Sequence, residues 1–185
     1  QHMQSIGVPP NAATYTALIA VCAKCGELDR AFAMLDQMLA ANAAPDALTF
    51  GALIAACVRT QQVERAFDLL SQMKTLGLRA SAATYNGLVD ACCKMGDIGR
   101  AEQTLLVMRS EGHVPDANTY SALLNACCSV QLHDRLLAHL EKMRALALMP
   151  TPATVQYLLG NFAGDRAALE QQLRLMQEAQ GPPQS

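Results

Sequence analysis

Apolar residues fall at helical spacing along most of the chain. Tyr15, Leu18, Ile19 and Cys22 stand at i, i+3, i+4 and i+7, which places them on one face of an amphipathic helix, here called helix A. Gly26 closes it. Leu28, Ala31, Phe32, Leu35 and Met38 repeat the pattern, so a helix B follows after a short turn and the two form an antiparallel hairpin. Asn42 and Pro45 stop helix B, because proline lacks the N–H that a continuing helix needs.

The whole pattern then returns. Thr14-Tyr15-Thr16-Ala17-Leu18-Ile19 recurs as Thr49-Phe50-Gly51-Ala52-Leu53-Ile54, Thr84-Tyr85-Asn86-Gly87-Leu88-Val89, Thr119-Tyr120-Ser121-Ala122-Leu123-Leu124 and, weakened, Thr154-Val155-Gln156-Tyr157-Leu158-Leu159, always 35 residues on. Pro10, Pro45, Pro115 and Pro150 keep the same step, as do Leu35, Leu70, Leu105, Leu140 and Leu175. A fixed period of this size means a stack of structural repeats, each burying its apolar face only against its neighbours.

The period divides the chain into repeats at 12–46, 47–81, 82–116 and 117–151, followed by a partial repeat at 152–180. Residues 1–11 read as the end of a preceding repeat, since Met3 and Gly7 are in register with Met73 and Gly77, and 181–185 read as a disordered tail. Ala31, Ala66 and Ala101 mark the expected point of closest helix approach, and Leu136 breaks that rule in the fourth repeat. In the last repeat Leu169, Leu173 and Met176 match Leu28, Phe32 and Leu35 only after a one-residue shift. Glu170, Gln171, Arg174, Gln177 and Glu178 give its helix B the polar outer face that a terminal cap requires.

Composition changes this picture little. Of 185 residues 51% are hydrophobic, aromatics are 4% and tryptophan is absent, which suits thin, closely approaching helical layers. Seven cysteines make an odd number, and Cys22, Cys57, Cys92 and Cys127 sit on the repeat step, so they read as small buried hydrophobes in a reducing compartment. Cys22-Ala23-Lys24-Cys25 is a CxxC, but neither a second pair nor a histidine stands beside it in register, so packing is expected rather than a metal site. The four histidines, His2, His113, His133 and His139, share no repeat position and are expected to face solvent. No apolar run is long enough to span a membrane, and no signal peptide is visible. A phosphate-cradling glycine loop, a carboxylate pair in a cleft and a nucleophile with a base are all missing, so neither catalysis nor a cofactor is expected.

The Thr-Tyr openings (Thr14-Tyr15, Thr84-Tyr85, Thr119-Tyr120), the Cys93-Lys94-Met95-Gly96 turn and the closing Pro45-Asp46 and Pro115-Asp116 resemble the pentatricopeptide repeat family. The resemblance covers nearly the whole chain. It implies an all-α, right-handed α-solenoid of helix-turn-helix repeats that binds single-stranded RNA in a mitochondrion or chloroplast, one base per repeat. In the family two or three side chains read each base. The base-reading pair is the residue after the motif tyrosine together with the last residue of the repeat. Carried onto this chain, the pairs are Thr16 with Asp46, associated with guanine, and Asn86 with Asp116, associated with uracil. Gly51 with Ser81 and Ser121 with Thr151 are pairings without a decoded base, and Gln156 has no partner position. The family also sandwiches each base with the residue before the motif threonine, which here is Ala13, Leu48, Ala83, Asn118 or Ala153, mostly smaller than the usual valine.

Charge distribution adds an independent argument. The net charge is −2, yet Lys24, Arg59 and Lys94 stand one repeat apart near the ends of the A helices. One cation per repeat along a shared surface is what a groove tracking an RNA backbone needs; the alternative is that these cations complement helix C-termini. Arg30, Arg65, Arg100 and Arg135 near the start of each helix B are expected to meet a neighbouring acid such as Asp29, Glu64 or Asp134 across repeats. The reading that follows is a non-enzymatic RNA-binding module of a longer organellar RNA processing, stability or translation factor. A repeat subunit of a large assembly such as an organellar ribosome is the alternative, and a homodimer through the N-terminal end is a third reading.

Overall fold

The computed structural model describes residues 11–179; the sequence expectations at His2, Met3, Gly7 and 181–185 lie outside them. The described residues form ten α-helices in A–B pairs: α1 (Ala12–Lys24) with α2 (Leu28–Ala40), α3 (Ala47–Arg59) with α4 (Val63–Thr75), α5 (Ala82–Lys94) with α6 (Ile98–Ser110), α7 (Ala117–Ser129) with α8 (His133–Ala145), and α9 (Pro152–Asn161) with α10 (Arg166–Ala179). Two compact units are present, divided after Leu88. In the first, α1 packs on α2 and α3, and α3 packs on α4. In the second, α7 packs on α6, α8 and α9, and α8 packs on α10. In α1 and α7 the A helix thus meets both its own B helix and the next A helix.

Local chemistry sets the ends. Gly26 follows α1 in the left-handed conformation at φ 79°, which costs glycine nothing, and the N–H of Glu27 reaches back to the Cys22 carbonyl at 3.0 Å. Asn42 takes the same role after α2 at φ 52°. The motif residues Tyr15, Phe50, Tyr85 and Tyr120 are buried, as are Leu35, Leu70, Leu105, Leu140, Met38, Met73, Met108 and Met143. Ala31, Ala66 and Ala101 have no exposed surface, and neither has Leu136 at the same place in the fourth repeat.

The last pair departs from the others. Pro152 opens α9, which is 10 residues long where the eight preceding helices are 13. Leu169, Leu173 and Met176 are buried and Leu175 is only half-buried, as the one-residue shift requires. Gly164 sits in the α9–α10 turn so close to Phe162 and His133 that an added Cβ would lie 2.7 Å from the phenyl Cζ and 2.8 Å from the imidazole Cγ. Glu170, Gln171, Arg174, Gln177 and Glu178 are exposed.

Two expectations need correcting. The histidines do not all face solvent: His139 is 2% exposed on α8, and His133 is half-buried with its ring edge against Phe162 at 4.8 Å. Unlike His139, the cysteines do not all pack inside, since Cys25 is exposed at the end of α1 and Cys22 is half-buried. His139 faces a helix rather than solvent because Glu102 of α6 reaches it, Oε1 to Nε2 at 2.8 Å, while the other carboxylate oxygen meets Arg135 at 3.2 Å.

Burial holds His139 below the ordinary histidine value of 6.5; the Glu102 hydrogen bond pulls the other way, and Lys142 and Arg135 reinforce the burial. The neutral ring donates from Nε2 to Glu102, and its Nδ1 is buried without a hydrogen-bond partner. A second proton would place an N–H donor there with nothing to accept it. The unfolded chain therefore binds the proton more readily. Stability from this site is full above the ordinary histidine value and is lost as pH falls through the lowered one. Melting followed by circular dichroism should show a falling midpoint from neutral to mildly acidic pH. The slope should flatten in His139→Leu, which installs the residue present at Leu69 in the second repeat. An unchanged slope in that variant would locate the acid sensitivity elsewhere.

Candidate functional site

The second member of each expected reading pair also starts the next A helix. Asp46, Asp116 and Thr151 are N-caps whose side chains accept the backbone N–H of Thr49, Thr119 and Thr154. Asn11 does the same for Thr14, and Ser81 Oγ accepts from Thr84 at 3.2 Å. Such caps are worth about 1 kcal/mol each. The recurrent threonine of the motif is explained by this geometry, because its hydroxyl also donates to the capping carboxylate: Thr49 to Asp46 at 2.8 Å and Thr119 to Asp116 at 2.7 Å.

In the first repeat this arrangement links the reading pair. Thr49 spends its hydrogen on Asp46, so the 2.7 Å contact between Thr16 Oγ1 and Thr49 Oγ1 has Thr16 as donor. Thr16, Thr49 and Asp46 form one hydroxyl-to-carboxylate relay. The Thr49 backbone N–H first, and its hydroxyl second, hold the Asp46 carboxyl below the usual carboxylate range against the opposing effect of burial. Asp46 is consequently an acceptor at neutral pH, suited to base N–H groups.

The second pair lines a concavity of about 590 Å³ inside the first unit. Gly51 and Ser81 lie on it together with Leu48 and Ala83, the two expected sandwich residues on either side. Its walls are otherwise Ala47, Ile54, Ala55, Val58 and Gly87, with Arg59, Arg79 and Thr84 as the polar members. The fourth pair lines another concavity, about 560 Å³, inside the second unit, where Ser121 and Thr151 accompany Asn118 and Ala153. Here the pair touches directly, the Thr151 N–H donating to Ser121 Oγ at 3.2 Å. In the third pair, Asn86 is half-buried on α5 and Asp116 caps α7, each in its own unit. Ala13 and Gln156 are exposed on α1 and α9.

The cation stripe is partly engaged inside the protein. Arg59 donates to the Ala23 carbonyl near the C-terminal end of α1, and the Lys94 ammonium stands 2.7 Å from Asp90, leaving it 67% exposed. Lys24 is exposed. Three of the second set of arginines meet a neighbour within their own repeat. Arg30 pairs with Glu27, Arg100 with Asp97, and Arg65 with Gln62, each three residues back within the same repeat. Arg135 crosses to an acid of the preceding repeat, Glu102, and Arg65 crosses by placing its guanidinium 4.8 Å above the Phe32 ring. A three-residue offset at the helix start competes better than a longer reach, because the two side chains already share a face.

Sequence reasoning missed several groups on the second concavity. Asp90, Asn125 and Tyr157 line it with the expected residues. Asn125 stands four residues beyond Ser121, one turn along the same face, and its Nδ2 donates to Thr154 Oγ1 at 3.4 Å. That spacing was available in the sequence. Among the described residues no group of histidine, cysteine or carboxylate side chains is arranged to hold a metal ion, and no helix is long and apolar enough to cross a membrane.

A family model described as the pentacotripeptide-repeat region of PRORP matches residues 1–67 and 32–169. No curated protein sequence matches significantly. The structure is similar to the crystal structure of the pentatricopeptide repeat protein PPR10 from maize, at 20% identity and a TM-score of 0.80, over 96% of this chain and 27% of that one. The maize protein in complex with an 18-nt psaJ RNA element is 21% identical with a TM-score of 0.68, over 97% of this chain and 27% of that one. The PPR domain of Arabidopsis thaliana protein-only RNase P 1, in complex with tRNA, is 24% identical with a TM-score of 0.76, over 86% of this chain and 84% of that one. These likenesses show the fold, an all-α helical-repeat solenoid. The chain spans about a quarter of the maize protein's length, 27%.

Proposed function

The chain belongs to the pentatricopeptide repeat family, and from that premise we propose that it binds single-stranded RNA along its A helices, as a repeat module of a longer organellar RNA-processing, stability or translation factor. The observation that carries this reading is the pair of concavities. Each one gathers, from two successive repeats, both reading positions and both flanking sandwich positions. Such a slot is shaped to hold a base by its faces. Two structural relatives with this fold are described in complex with RNA.

Thr16 with Asp46 is assigned to guanine and Asn86 with Asp116 to uracil. In both the aspartate is the acceptor for a ring N–H, and exchanging a hydroxyl for an amide at the first position changes which edge fits. Lys24, Arg59 and Lys94 supply the phosphate contacts. Arg59 holds one end of its groove position through the Ala23 carbonyl, which leaves its other guanidinium N–H groups for an anion.

The test is fluorescence anisotropy with short strands of the form G-N-U-N, against scrambled and duplex controls, over a salt series. Binding to the single strand should weaken with salt as released counterions require. Asn86→Ser with Asp116 kept should move preference at one position from uracil toward guanine, by about tenfold for a base contact worth about 1–3 kcal/mol. If wild type and variant bind both strands equally, readout by these pairs is wrong. A second reading, a module that docks other proteins of a large assembly, is favoured by the apolar lining of the first concavity, where Leu48 is 67% exposed. It takes precedence if no single strand binds.

A further inference from the structure

The last repeat relocates its aromatic ring. In α1, α3, α5 and α7 the ring stands directly after the motif threonine, at Tyr15, Phe50, Tyr85 and Tyr120, and none is more than 5% exposed. In α9 that position is Val155, and the ring is Tyr157, two residues on and 37% exposed. Two residues turn the side chain through about 200° on an α-helix. The ring therefore leaves the core side and lines the second concavity. The equivalent residues of the other repeats, Ala17, Ala52, Gly87 and Ala122, carry no ring.

The edge-reading groups of the same slot are bound to one another. Ser121 Oγ accepts the Thr151 N–H at 3.2 Å, and Thr151 Oγ1 donates to Thr154 Oγ1 at 3.0 Å while accepting the Thr154 N–H at 3.3 Å. The flanking positions Asn118 and Ala153 provide a short amide and a methyl group in place of a bulky apolar clamp. With the Thr151 hydroxyl spent as donor and acceptor, the Ser121 oxygen occupied by the Thr151 N–H and a ring in its wall, the slot is better suited to recognising faces than edges. Every nucleobase has a π-face, so stacking is tolerant of sequence.

We propose that Tyr157 stacks on the base held by the fourth repeat, so that this slot supplies affinity without base discrimination. The inference rests on the RNA-binding reading above. It also accounts for Ser121 with Thr151 having no decoded base.

The experiment uses the whole chain with short labelled oligo(U), oligo(C) and oligo(A), followed by anisotropy. Tyr157→Ala should weaken all three by a similar factor, roughly 5- to 150-fold for one lost stack, and Tyr157→Phe should retain wild-type affinity. Because the chain has 0 tryptophans, Tyr157→Trp introduces a single reporter, whose emission should be quenched on RNA binding. Circular dichroism melting of each variant separates a binding loss from a folding loss. Wild-type binding with an unaffected Tyr157→Ala, or an unquenched tryptophan in the bound state, overturns stacking and leaves RNA binding standing. Weakening confined to one homopolymer overturns the sequence tolerance. Absence of wild-type binding to any strand overturns both readings together.

Discussion

Phe50→Ala is expected to destabilise the protein by about 3–5 kcal/mol, measured by urea unfolding followed by far-ultraviolet circular dichroism. Phe50 is 2% exposed on α3 and belongs to the face that also buries Leu53, Ile54 and Cys57. Truncation removes the ring's transfer free energy and leaves a cavity that helices on either side cannot close, because each is already held by its own partner. Against a total stability of about 5–15 kcal/mol for a domain, the loss is large. The comparison with Tyr157→Ala is instructive. The same change of chemistry, two helix positions away, removes a ring from the concave surface and should leave the melting midpoint nearly unchanged while weakening RNA binding. If Phe50→Ala loses less than about 1 kcal/mol, the first unit repacks around the gap, contrary to the usual cost of a ring truncation.

Leu136→Ala is expected to cost about 2–5 kcal/mol. From the repeat alone the opposite would be anticipated, since the substitution restores the residue found at Ala31, Ala66 and Ala101. All four positions are completely buried, so the site itself is conserved in place while its side chain differs. The packing around Leu136 fully encloses a leucine side chain, so truncation to alanine leaves a void that a fixed backbone does not fill. Unfolding of this variant in urea at constant slope would report the loss. A stability at or above wild type would mean that α7 and α8 draw together and that the repeat pattern, rather than its local spacing, sets the preferred residue.

Much of the fold was legible because it is periodic. A residue that returns every 35 positions meets the same kind of neighbours, so Tyr15, Leu35 and Met38 announce the core of the first four repeats. Helix ends were legible through Gly26 and Asn42, both left-handed as a helix stop requires, whereas the capping role of Asp46 and Asp116 emerged only from the structure. The corrections fall where a residue departs from the period. His139 has no histidine counterpart in the other repeats, so nothing in the pattern pointed to the Glu102 carboxylate that receives it from the preceding repeat. Cys25 is off the repeat step and exposed, and Cys22, although on the same step as the buried Cys57, Cys92 and Cys127, is only half-buried. The partners of Arg30 and Arg65 were decided by short local offsets.

The candidate site divides in the same way. The family resemblance, carried along the repeat, pointed to Gly51, Ser81, Leu48 and Ala83, and also to Ser121, Thr151, Asn118 and Ala153, as reading and sandwich positions. The concavities bring each set together. What the resemblance did not reveal is how those groups are already engaged: the relay from Thr16 through Thr49 to Asp46, the Thr151 N–H on Ser121, and the Ala23 carbonyl on Arg59. Hydrogen bonds between repeats join residues about thirty positions apart, and their competition for a single hydroxyl hydrogen has no signature in local spacing.

The sequence by itself therefore determined the all-α class and the order of the helical pairs, which follow from side-chain periodicity along one chain, while its recurrent Thr-Tyr and Pro-Asp motifs pointed to the family. Only the tertiary structure decided which polar groups remain free in the concavities, where a cation is spent on a helix end, and that Tyr157 has exchanged the core for the groove. Those outcomes depend on which atoms of neighbouring repeats arrive first at a shared donor or a shared space. Packing in three dimensions settles that competition.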